Sequence, residues 1–126
     1  IVHELSHVVT LDSEVFTFGK VDGCPGVQIE LGCAEAGTVL AEFAERFWPG
    51  DISSGDPADF VNNYASTAPH EDLSETFTAW VLGWPVEGRL IDAKIDMLAA
   101  DAELSDLADA LRAELVAASA IQLNAG

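Results

Sequence analysis

Helical spacing of the apolar residues is the feature that most constrains this fold. In "AGTVLAEFAERFW" (36–48), apolar side chains share one helix face, and Pro49-Gly50 ends the pattern. Similar spacing and punctuation predict further helices over about 1–11, 57–62, 68–83, 88–99 and 103–119. Thr67 is expected to cap the 68–83 helix, and one short strand is expected at 15–18. The sequence therefore predicts a mainly helical chain with little or no sheet.

Acidic residues far outnumber basic ones. The 126-residue chain has 22 Asp and Glu against 5 Lys and Arg, a formal net charge of −17. Nucleic-acid binding requires a basic surface and an anionic membrane repels an acidic one, so neither partner is expected. No apolar run approaches the ~20 residues of a membrane span. The length and the 49% apolar content fit one domain with a small core.

The two cysteines, Cys24 and Cys33, enclose the segment "CPGVQIELGC". Pro and Gly near its ends let the chain fold back, so the spacing favours a disulfide and a secreted or cell-surface protein. The alternative is two unrelated buried thiols in a cytosolic protein. A zinc site on this pair is disfavoured because no further Cys or nearby His completes it.

The opening stretch "IVHELSHVVT" contains the motif H-E-x-x-H. Residues four apart lie on one helix face, so His3 and His7 can bind the same metal ion, with Glu4 beside it. This is the pattern of zinc peptidases. The extended form of the motif is excluded, because Thr10 and Ser13 occupy its Gly and third-His positions.

A catalytic zinc requires a third protein ligand. The sequence leaves His70, Glu71 and other acids as candidates. Glu71 and Glu75 share a helix face, so one can bind the metal while the other supports a ligand histidine. Tyr64 lies just before that helix, where its hydroxyl can reach a substrate oxyanion. Each residue also has a purely structural interpretation, and His70 is expected to be a surface residue.

H-E-L-S-H and the later Y-A-S-T-A-P-H-E-D-L-S-E-T-F together resemble the zincin family that includes the anthrax lethal factor catalytic domain and many bacterial zinc-binding metallopeptidases. "FAERFWPG" and the two closing helices resemble the family's flanking segments, so the likeness runs from residue 1 to about 115. It implies Glu71 as the third zinc ligand, Tyr64 as a catalytic residue and Glu75 as the hydrogen-bond partner of a ligand histidine. It also implies that residues 1–126 form one zincin-like domain without the family's N-terminal sheet-bearing part.

These expectations combine into a zinc-dependent metalloendopeptidase that is monomeric and acts on a protein or peptide. Zn²⁺ activates a water, Glu4 is the general base and Tyr64 stabilises the oxyanion. Two alternatives stay open: a zinc-binding domain without catalysis, and a metal-free helical module whose acidic surface docks a basic partner.

Overall fold

The structure is a computed structural model that describes residues 2–52 and 55–125, without the side chains of residue 51 and of 119–125. In this part of the chain it has five α-helices: α1 (Val2–Thr10), α2 (Val39–Phe47), α3 (Pro69–Leu82), α4 (Arg89–Ala100) and α5 (Ala102–Ala125). Its three short strands are β1 (Phe16–Phe18), β2 (Val27–Gln28) and β3 (Gly32–Ala34). The prediction of a mainly helical chain with little sheet is confirmed.

The strands form a small antiparallel sheet in the order β1-β3-β2. The central strand β3 is buried at all three positions. Gly32 is required there, because a Cβ would overlap the Thr17 carbonyl oxygen and the Phe16 ring. The strand expected at 15–18 is confirmed as β1, whereas β2 and β3 were not expected.

A disulfide joins Cys24 to Cys33, with Cα atoms 6.0 Å apart. It ties the turn before β2 to the central strand β3. The predicted pairing is thus confirmed, and the alternative of two unrelated thiols is wrong.

Helix α3 lies at the centre of the fold and packs against each of the other four α-helices. Its apolar side chains, with Leu73 and Phe77 fully buried, meet Phe43 of α2 and the fully buried leucines of α4 and α5 in one core. Because α3 is buried on most of its surface, it offers a rigid support for any side chain that points toward α1.

A buried ion pair anchors the first turn of α3. Lys94 of α4 places Nζ 2.8 Å from Asp72 Oδ2, and the two side chains are 2% and 0% exposed. Nζ also donates to the Asp59 carbonyl at 2.6 Å, and Trp48 Nε1 donates to Asp72 Oδ2 at 2.9 Å. Burial raises the pKa of Asp72, while Lys94 opposes that rise. The network therefore holds the first turn of α3 in place at Asp72, the residue that follows Glu71.

Two local predictions are wrong. The helix expected over 57–62 is only a 3₁₀ turn, Pro57–Asp59, because Phe60 is extended. Thr67 does not cap α3: it belongs to a 3₁₀ turn, Tyr64–Thr67, and its Oγ1 donates to the Tyr64 carbonyl at 2.7 Å.

Among the described residues, no helix combines the length and apolar character that crossing a bilayer requires.

Candidate metal centre

Helices α1 and α3 bring three candidate ligands together. His3 and His7 stand one turn apart on α1, and Glu71 lies in the first turn of α3. His7 Nε2 is 2.9 Å from His3 Nε2 and 2.9 Å from Glu71 Oε1, and the third edge, His3 Nε2 to Glu71 Oε1, is 3.3 Å. Across the described residues, these three form the one His/Cys/Asp/Glu group with mutually close ligand atoms. Of the possible third ligands, the structure thus places Glu71 against the histidines.

The triangle fits a zinc ion in size and chemistry. With bonds of ~2.0–2.1 Å, the edges of a tetrahedral site measure ~3.3 Å, close to those found here. Glu71 Oε1 is buried, and in the described part of the chain no hydrogen bond of acceptable geometry reaches it. A cation between the three atoms would satisfy this oxygen and both imidazole lone pairs. Two His and one carboxylate is also a donor set that catalytic zinc uses.

The far nitrogen of each histidine faces a side chain of α3. His3 Nδ1 is 3.6 Å from Glu75 Oε1, which is beyond hydrogen-bond distance, so the hydrogen bond expected from Glu75 stays a prediction. His7 Nδ1 is 2.9 Å from Ser74 Oγ. Sequence reasoning missed Ser74, although its position three residues after Glu71 places it on the same helix face.

The pKa shifts of His7 and Glu71 both favour the protonation state in which the side chain can bind a metal. Burial lowers the pKa of His7, and His3 lowers it further, against the opposing effect of Glu71. Burial raises the pKa of Glu71, but the Tyr64 hydrogen bond and the nearby histidines outweigh it, so the net shift is downward. A neutral imidazole and an ionised carboxylate are the forms that bind a metal.

Tyr64 and His70 flank the cluster. Tyr64 is 52% exposed, its ring centroid is 5.9 Å from that of His3, and its hydrogen bond to Glu71 raises its own pKa. The His70 ring is 5.8 Å from His7, and its Nε2 is 3.8 Å from Glu71 Oε1. With a side chain 19% exposed, His70 is partly buried and borders the cluster, whereas a surface position was expected.

Glu4 is exposed on α1, and its charge acts on both His7 and Tyr64. Cys24 and Cys33 take no part in the cluster, since they are joined to each other.

An open groove of about 440 Å³ adjoins His70. Its other lining residues come from the β2–β3 turn and from the segment that leads into α3, and they are Glu30, Leu31, Thr67, Ala68 and Pro69.

Comparison of the chain with protein-family models, with curated proteins and with solved structures found no significant match. The class of the protein is therefore inferred from its motifs and from the geometry of this cluster.

Proposed function

We propose that this chain is a zinc-dependent metalloendopeptidase of the zincin type. One observation carries the proposal: the histidines of H-E-L-S-H meet a buried glutamate from the distant helix α3, at distances that suit one zinc ion. A chance H-E-x-x-H on a surface helix would have no reason to face a buried carboxylate. The resemblance to zincins points to the same three residues.

His3, His7 and Glu71 would hold the zinc, which supplies Lewis acidity that lowers the pKa of a water toward neutrality. Glu4 would accept a proton from the attacking water and deliver it to the leaving amine. Its exposure suits this role, because the carboxylate must reach both water and substrate. Tyr64 is also largely exposed, so its hydroxyl can turn from Glu71 to the substrate oxyanion.

The proposed substrate is a protein or peptide, and the groove of about 440 Å³ beside His70 would receive one of its side chains. The disulfide is compatible with a secreted or cell-surface enzyme, which we propose acts as a monomer.

The Glu4→Gln variant tests the proposal. We expect about one zinc per chain, as for the unmodified protein. Peptide cleavage should fall by ~10²–10⁴-fold, because the amide cannot accept the proton. Elemental analysis and hydrolysis of an unbiased peptide library measure the two effects.

Glu45→Gln, at an exposed position of α2, is the matched control and should change neither zinc content nor cleavage. Cleavage by Glu4→Gln at the unmodified rate would contradict the general-base role. Zinc binding by an unmodified protein that cleaves no peptide would instead support a zinc-binding domain without catalysis.

A further inference from the structure

A line of buried hydroxyl groups runs behind the metal cluster. Ser6 of α1 and Ser74 of α3 are both 0% exposed. Ser6 Oγ is 2.7 Å from the His3 carbonyl oxygen and 2.7 Å from Ser74 Oγ. Ser74 Oγ is in turn 2.9 Å from His7 Nδ1. The line therefore starts at one histidine of the motif and ends on the backbone of the other.

Three contacts in this line require three hydrogens, and only one order of donors satisfies all three contacts. The His3 carbonyl can only accept, so Ser6 must donate its single hydrogen there. Ser6 then accepts in its contact with Ser74, which leaves Ser74 to accept from His7. Any other order leaves two oxygens 2.7 Å apart with no hydrogen between them.

We propose that Ser74 and Ser6 are positioning residues that set the tautomer of His7, with the proton on Nδ1 and the lone pair on Nε2. That lone pair then points to where His3 Nε2 and Glu71 Oε1 converge, so the imidazole is ready to bind the metal before the metal arrives. The inference deepens the proposed zinc site and rests on it for its functional meaning, although the hydrogen-bond order itself does not require zinc.

Burial makes the effect specific to these two serines. Because Ser6 and Ser74 are both 0% exposed, bulk solvent does not reach the hydroxyl groups that the variants remove. Loss of the Ser74 hydroxyl would leave His7 Nδ1 without an acceptor and free the ring to adopt the other tautomer or to rotate.

The tautomer can be read directly from the ring ¹⁵N chemical shifts of the zinc-free protein at about pH 8, where an imidazole is neutral. A His7→Gln variant assigns the signals of His7. We expect a protonated Nδ1 in the unmodified protein and in Ser74→Thr, which keeps the hydroxyl. In Ser74→Ala we expect a mixture of tautomers.

Zinc titration supplies the second readout. Ser74→Ala should bind zinc ~10–100-fold more weakly, and Ser74→Thr should recover most of that loss. Thr78→Val is the matched control, since it removes a buried hydroxyl from the same helix outside the line, and it should leave both readouts unchanged.

A protonated Nε2 on His7 in the unmodified protein would overturn the inference, whether or not zinc binds. Equal zinc affinity in Ser74→Ala and the unmodified protein would overturn it as well. A correct tautomer in a protein that never binds zinc would instead contradict the proposed function and leave the hydrogen-bond order standing.

Discussion

Glu71 and Glu75 lie one turn apart on α3, yet they stand at different distances from the two histidines. Glu71 Oε1 is within 3.3 Å of both Nε2 atoms, whereas Glu75 approaches only the far nitrogen of His3, at 3.6 Å. Glu71→Ala should therefore abolish stoichiometric zinc binding, while Glu75→Gln should weaken it by only ~10–100-fold. Zinc titration of the two variants, beside Glu45→Gln, measures this difference. Equal losses in both would mean that the ligand assignment is wrong.

Among the elements, α3 has to be positioned accurately on two sides. Its Glu71 faces the histidines of α1, and its Asp72 pairs with Lys94 of α4. Lys94→Met would leave Asp72 buried without its cation and should lower the free energy of unfolding by ~3–5 kcal/mol. Adding Asp72→Asn should restore part of this loss, because the uncompensated charge is then gone. Urea unfolding measures both.

Arg89→Met, at an exposed position of the same helix as Lys94, is the control and should stay within ~0.5 kcal/mol of the unmodified protein. A Lys94→Met variant as stable as this control would show that the pair does not hold α3 in place.

The sequence predicts the α-helices of this fold but not all of its strands. The α-helices follow from apolar spacing and from Pro and Gly, and the break before α5 falls at Asp101, which accepts from the Leu104 N–H at 3.0 Å. Strands β2 and β3 were not predicted. A strand of two or three residues is too short to show alternating apolar and polar side chains, and its pairing depends on contacts distant in sequence.

The candidate site divides in the same way. His3, Glu4 and His7 are a local pattern that helical geometry alone explains. Glu71 is one of several candidate third ligands in the sequence, and only the family resemblance singled it out there, because no local signal encodes the packing of α1 on α3. To recognise the contact of Ser74 with His7, one has to know both that Ser74 lies on the same face of α3 as Glu71 and that the face packs against α1.

At the scale of the whole molecule, the cluster connects the first helix to the centre of the fold. A chain with a net charge of −17 gathers an ionised Glu71, with Glu4 and Glu75 nearby, at the contact of α1 and α3. A divalent cation there reduces the repulsion between these acids and adds bonds that bridge both helices. Zinc should therefore stabilise the entire domain, since its ligands come together only in the folded chain.

The size of that stabilisation follows from mass action. At free zinc a hundredfold above its dissociation constant, the free energy of unfolding should rise by ~2.7 kcal/mol. For a domain of this length that corresponds to a rise in Tm of roughly 10 °C. Calorimetry of the chelator-treated and zinc-loaded protein measures the shift, and the chelator leaves the Cys24–Cys33 disulfide intact. In a His3→Ala, Glu71→Ala double variant the shift should vanish, because two of the three ligands are absent; an undiminished shift there would place the stabilising zinc elsewhere on the acidic surface.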